Sequence, residues 1–174
     1  MRENECPHSG LFADNSRTFK LLYCMIKNKH TLQRLFRLIC LRLVTSSLPF
    51  NNRCRVYLTK MGGVKLKSVN IFIGEGVIFD SLCPEEIEIG NHVHLTMNCI
   101  ILTHNLDTSS PNMKWEKGHV TIGDNTFIGA GTIICNTVNI GKNVIVGAGS
   151  VVTKDIPDGE IWAGNPAHFI KNRK

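Results

Sequence analysis

The amino-acid sequence predicts an all-β protein: a parallel β-helix wound from six-residue repeats, behind a basic, helical N-terminal region. Three observations carry this. Aliphatic residues recur every six positions at Ile122, Ile128, Ile134, Ile140, Val146 and Val152. Glycine follows four of them, at Gly123, Gly129, Gly141 and Gly147. A second row of aliphatic or small residues runs two positions ahead, from Val120 through Thr126, Thr132, Val138 and Val144 to Ser150. A six-residue period fits neither a 3.6-residue helix nor one long strand. It fits a short strand and a turn, repeated. Two side chains per strand point inward and fill an interior, and the residue between them points out. Three such strands close a triangle, so eighteen residues make one coil, and stacked coils pair through parallel ladders about 4.8 Å apart.

Taken in order, residues 1–60 form the basic N-terminal region and residues 61–171 the β-helix domain. Residues 1–17 are expected to be disordered. Residues 18–47 read as helix, because Leu22, Met25, Ile26, Leu32, Leu35, Phe36, Ile39 and Leu43 fall near helical spacing. They sit among Lys20, Lys27, Lys29, Arg34, Arg37 and Arg42. Two readings are open: a helix packed on the coil or on another subunit, or a basic amphipathic surface resting on anionic lipid. The repeat begins with Ile73 and Phe79 and resumes with Ile89, Leu95 and Ile101, led by Ile71, Val77, Ile87, Val93 and Cys99. DSLCPEE (80–86) makes a small break. A larger one separates Ile101 from Ile122; one hexad accounts for part of it and leaves an insertion of fifteen residues. This loop, placed at 102–119, contains THNLDTSSPNMKWEKGH (103–119) and is polar enough to run over the surface. Residues 156–174 leave the register. Pro157, Gly159, Gly164 and Pro166 make turns, and AHFIKNRK is expected to close the coil as a short helix.

Charge and cysteine content narrow the classes. The net charge of +6 divides into +10 for residues 1–68 and −4 for residues 69–174, which weighs against a nucleic-acid-binding protein. The seven cysteines are scattered, odd in number and free of any C-x-x-C pair, which points to a reducing compartment. MRENECPHSG carries no signal-peptide pattern, and no apolar run reaches about 18 residues. A cytoplasmic location is expected, with the inner membrane face as a variant of it.

Among seven histidines, His104 alone sits where the coil gives way to the loop, in ILTHNLD (101–107). On pattern alone it is either a surface hydrogen-bonding residue or a catalytic base. The segment VTIGDNTFIGAGTIICNTVNIGKNVIVGAGSVVTKDIPDGEIWAGNPAHFIK (120–171) resembles the C-terminal half of the maltose, galactoside and nodulation acetyltransferases. It is most similar to the branch that O-acetylates capsule, exopolysaccharide and lipopolysaccharide sugars. The resemblance covers about residues 60–171, and its most specific pieces are GAGSVVTKDIP (147–157) and AGNPA (163–167).

The resemblance implies a left-handed coil, a homotrimer whose loop covers a neighbour's site, acetyl-CoA as co-substrate, a saccharide acceptor and no required metal. It implies that His104 is the base. An alcohol is a poor nucleophile at neutral pH, and an imidazole can take its proton and pass it to the departing thiolate. It places Gly129 and Ala130 near the thioester, with Gly147 and Ala148 small enough for the pantetheine arm. Thr153 and Lys154 match contacts to that arm. Asn165, Pro166 and Ala167 match the adenine-side turn, and His168 and Lys171 match basic positions near the phosphates. His168 stands where the family has Arg. Asp80, in IGEGVIFD (73–80), stands where the family commonly has Asn for the acceptor hydroxyl. It would accept from a sugar hydroxyl or orient His104. Asn98 is a weaker acceptor-side candidate. Competing functions are acetyl transfer to a small free sugar, serine or drug, and a non-catalytic β-helix scaffold. A zinc site of the carbonic anhydrase kind fails on spacing, because His92 and His94 are two residues apart.

Overall fold

A computed structural model of the chain describes residues 29–46, 48, 50–107, 114–135 and 137–174. The expected tail at 1–17 and residues 18–28 of the expected helix lie outside the described residues.

The six-residue rows build the coil as anticipated. Strands β1 (Lys65–Leu66), β4 (Ile87–Ile89), β9 (Val120–Ile122) and β12 (Val138–Ile140) form the first side. The second side is β2 (Phe72–Ile73), β5 (His94–Leu95), β10 (Phe127–Ile128), β13 (Ile145–Val146) and β15 (Glu160–Gly164), closed by β16 (Ala167–Asn172). The third is β3 (Ile78–Phe79), β6 (Ile100–Ile101), β11 (Ile133–Ile134) and β14 (Val151–Val152). Pairing within each side is parallel except between β15 and β16.

The register measures the interruptions. Ile122 pairs with Ile140, Ile128 with Val146 and Ile134 with Val152, each eighteen residues on. Phe79 pairs with Ile101, which is four more, so the break at 80–86 adds four residues. Ile89 pairs with Ile122, which is fifteen more, the full size of the loop insertion. Both rows point inward: Ile73, Ile87, Ile89, Ile101, Ile128 and Ile134 are fully buried, and so are Thr126, Thr132 and Ser150 of the leading row. The three buried hydroxyls are satisfied by corner carbonyls, as Thr126 Oγ1 donates to Gly141 O at 2.9 Å and Ser150 Oγ to Gly147 O at 2.6 Å.

The outward residues differ by side. The first side presents Lys65, Glu88, Thr121 and Asn139. The second presents Phe72, His94, Phe127 and Ile145, and the third Ile78, Ile100, Ile133 and Val151. The third side is therefore apolar outside as well as inside, and the second is so apart from His94.

Helix α1 (Lys29–Thr45) matches the described part of the expected helix. Helix α2 (Asn52–Met61) belongs to the same basic, helical region and lies beyond the span 18–47 read in detail as helix. Asn51 caps it by accepting from Cys54 N at 2.9 Å. Asn52 then ties it to the coil, donating to Ile71 O at 2.8 Å and accepting from Ile73 N at 2.9 Å. It serves the open edge of β2 as a missing strand would. The closing segment is corrected: AHFIKNRK contributes strand β16, not a helix. β16 turns back antiparallel on β15 and covers the last exposed ladder.

Candidate active site

His104 leaves the coil just beyond β6 and opens β7 (His104–Asp107), which pairs antiparallel with β8 (Lys114–Lys117). The arms of the loop expected at 102–119 thus form a hairpin, and residues 108–113 lie outside the described residues. The hairpin is pinned to the coil at its base. Gly118 N donates to Thr103 O at 2.6 Å, and Lys117 Nζ lies 2.8 Å from Glu86 Oε1. The hydrogen bond between them raises the Lys117 pKa and lowers that of Glu86.

Asp80 follows β3 at the same corner, one coil below, where the four-residue detour begins. Its carboxylate is buried, with 1% of the side chain exposed. Asp80 Oδ2 accepts from Thr103 N and from Thr103 Oγ1, each at 2.9 Å, and Oδ1 accepts from Leu82 N at 2.9 Å. His104 Nδ1 makes the remaining contact, to Oδ2. Burial alone would raise the Asp80 pKa. The hydrogen bonds from His104, Leu82 and Thr103 outweigh it and hold the carboxyl below its ordinary value. An ionised carboxylate only accepts, so the hydrogen-bond network assigns the ring proton to Nδ1 and leaves Nε2 as the acceptor nitrogen. The Trp115 ring leans on the imidazole, with centroids 5.3 Å apart and planes at 52°. His104 keeps 21% of its side chain exposed, so the site is open on the side away from Asp80.

Sequence left two partners open for Asp80, an acceptor hydroxyl or His104. The geometry joins it to His104, and its buried oxygens are taken. Asn98 lies elsewhere. It occupies the corner before β6, with φ of 57°, and hydrogen-bonds through its backbone to Glu75 O. A side of the coil separates it from His104. Gly129, Ala130, Gly147 and Ala148 stack at that same corner, where Gly131 N donates to Met97 O and Gly149 N to Ala130 O. Gly129 has a structural reason to be glycine. A Cβ there would stand 2.4 Å from Ala148 N and 2.7 Å from Gly147 C. Its N–H donates to Val146 O at 2.8 Å, so that donor is spent on the coil.

Thr153 and Lys154 follow β14 at the His104 corner, two coils further on. Asn165 and Pro166 form the turn between β15 and β16 across a cis peptide bond, with Ala167 buried behind them and His168 and Lys171 exposed along β16. The structure therefore gathers Asp80, His104, Thr153 and Lys154 at one corner and the four small residues at another. Sequence reading missed Thr103 and Trp115. The lone tryptophan of a polar loop was the available signal for the second. Among the described residues, no three His, Cys, Asp or Glu side chains are grouped as a metal site.

Residues 119–154 match the family model described as bacterial transferase hexapeptide (six repeats). The matched segment runs from the end of the inserted loop to just past β14. A Dictyostelium discoideum protein named as an acetyltransferase is 46% identical to it over 111 residues, 59% of this chain and 57% of that protein. A maltose O-acetyltransferase from Clostridium difficile 630 is 27% identical, covering 87% of this chain and 89% of its own, with a TM-score of 0.58. AntD, an N-acyltransferase from Bacillus cereus in complex with dTDP and 3-hydroxybutyryl-CoA, is also 27% identical. It covers 60% of this chain and 59% of its own, with a TM-score of 0.52. The chain spans little more than half the length of the curated relatives it matches.

Proposed function

We propose that the chain is an O-acetyltransferase that moves acetyl from acetyl-CoA directly to a hydroxyl of a surface-polysaccharide sugar or its precursor. We read the coil as left-handed and the working form as a homotrimer. The observation that carries the reading is the contact of His104 Nδ1 with the buried Asp80 carboxylate, at the point where the hairpin leaves the coil. Such a carboxylate fixes the tautomer and stabilises the imidazolium formed during turnover.

In the proposed step, Nε2 takes the proton of the sugar hydroxyl as its oxygen attacks the thioester carbon. The tetrahedral adduct collapses, the carbon–sulfur bond breaks, and Nε2 returns the proton to the coenzyme thiolate. No acetyl-enzyme forms. Backbone N–H groups at a coil corner are the simplest oxyanion donors. Because the Gly129 N–H is already engaged, the Ala130 side of that corner is the better candidate. Gly147, Ala148, Thr153, Lys154, Asn165, Pro166, Ala167, His168 and Lys171 remain the proposed coenzyme contacts.

An acetyltransferase-named relative, a sugar-acetylating structural neighbour and an acyl-CoA complex of a third protein support the reaction class. The two largely apolar outer sides support association. The maltose O-acetyltransferase also favours a second reading, transfer to a small free sugar. The test is acetyl-CoA turnover by purified protein against a panel of free sugars, oligosaccharides and polysaccharides, with the acetyl position located by NMR. Turnover on polymers or their lipid-linked units supports the first reading and turnover on free sugars alone the second. No acetyl transfer to any hydroxyl, with coenzyme bound, refutes both.

A further inference from the structure

Helix α1 has two apolar faces, and the fold uses one. Cys40, Leu41 and Val44 are buried against the end of the coil and α2. Leu32, Leu35, Phe36 and Ile39 are 42–55% exposed and, at spacings of three, four and seven, form one continuous stripe. Contiguous exposed apolar patches mark surfaces where a partner or a membrane sits.

Charge identifies the partner. From Asn15 to Gly74 the chain has no acidic residue. Within that stretch, residues 29–68 hold nine Lys and Arg. Arg37 and Lys67 are paired to the coil, by Glu85 at 3.8 Å and Glu88 at 2.8 Å. Arg42 is exposed at the edge of the stripe. On α2, Arg53 and Lys60 are exposed beside Tyr57 and Met61, which are 57% and 49% exposed. Stripe-to-stripe contact between two copies would bring cations against cations with no carboxylate on either helix to offset them. An anionic bilayer surface offers apolar depth for the stripe and phosphate for its flanks. No helix among the described residues is long and apolar enough to cross a membrane.

We infer that the exposed face of α1, with the basic face of α2 beside it, docks the protein on an anionic lipid surface. The inference stands on the helices alone and is independent of the acetyl-transfer reading. The apolar stripe inserts at the headgroup boundary, and Arg42, Arg53 and Lys60 meet lipid phosphate.

The experiment is flotation of the full chain with vesicles of phosphatidylglycerol and phosphatidylcholine, against phosphatidylcholine alone. Binding should rise with phosphatidylglycerol and fall as salt rises. Phe36→Glu with Ile39→Glu should abolish it. Each of Arg42→Gln, Arg53→Gln and Lys60→Gln should weaken it by about fivefold. The glutamate variant is also sized by sedimentation and checked by circular dichroism, so that unfolding is not mistaken for lost binding. Absent binding, equal binding to both vesicles, or binding that survives in a folded glutamate variant overturns the inference. A glutamate variant that falls to a smaller assembly overturns it as well, because the stripe is then a surface between copies.

Discussion

Asp80→Asn tests the site at its least exposed atom. The carboxylate accepts three donors on Oδ2 and one on Oδ1. An amide offers one oxygen and one NH2. With the oxygen facing Thr103, the NH2 meets the Leu82 N–H, and one buried donor is left unpaired. That costs about 1–3 kcal/mol of stability. Flipped, the NH2 meets Thr103 and donates toward His104 Nδ1, which forces the ring proton onto Nε2, the nitrogen that must be free to accept. Either way the imidazolium loses its counter-charge. A misassigned tautomer in a comparable dyad costs about 10⁴-fold in kcat, and loss of base assistance about 10²–10⁴-fold. We expect kcat to fall within that span while acetyl-CoA affinity stays put.

The stability loss has a pH signature. The folded-state pKa of Asp80 lies below its unfolded value. Its contribution is therefore present above the ordinary carboxylate pKa, about 3.9, and is lost as pH falls through the folded value. The gap in urea midpoint between parent and Asp80→Asn should thus be full at neutral pH and shrink in acid below about pH 4. Steady-state kinetics, coenzyme binding and urea unfolding are the assays. Normal kcat in a folded Asp80→Asn protein would refute the dyad. So would a double variant with His104→Ala whose loss is the sum of the single losses, since residues that act as a unit are not additive.

Two other outcomes follow from the same geometry. His104→Ala should lower kcat by about 10²–10⁴-fold with coenzyme binding intact, because the residue lies at a partly exposed loop edge; kinetics beside direct binding checks it, and near-normal turnover sinks the mechanism. Ile133→Glu, on the outer face of the third side, should turn the proposed trimer into monomers that keep the coil's circular dichroism, and sedimentation showing an intact trimer would remove that side from the interface.

The coil was legible because its rows are written in side-chain identity. Every position of the two rows must be apolar or small to fit inside, and the register repays that with pairings at eighteen residues. Even the insertion of fifteen was countable. What failed had no such rule. α2 buries only Val56 and Thr59, so within the region expected to be largely helical no apolar stripe marked its bounds. AHFIKNRK carries mixed helix and strand propensities, and an open ladder decided its fate. His104 could be singled out by its place at the loop. Asp80, 24 residues away, was reached only through the resemblance, with orienting His104 as one of two open roles, and Trp115 meets the ring across a hairpin that no spacing announces. Gly129 was placed near the thioester by the resemblance, and the coil gives it a second reason to be glycine, the close approach of Gly147 and Ala148.

The division of the candidate residues between two corners makes its own prediction. A side of the coil is about six residues, up to roughly 20 Å. His104 stands beyond one end of the third side, and Ala130 stands at the other. Reacting atoms must approach to about 3–3.5 Å. If Ala130 lies at the thioester, the base beside that thioester belongs to a neighbouring copy, and each site is made from two chains. Two inactive variants then complement one another. His104→Ala destroys one half, and Ala130→Trp, at an exposed corner position, blocks the other. In trimers reassembled from equal amounts of the two, an intact half must meet an intact half by chance. About one quarter of the sites recover, so activity should rise from near zero to about a quarter of the parent's. The assay is turnover after dissociation, mixing and reassembly, with each variant reassembled alone as control. A mixture no more active than the two variants apart would mean that base and coenzyme corner serve the same chain, and the shared-site reading would fall with it.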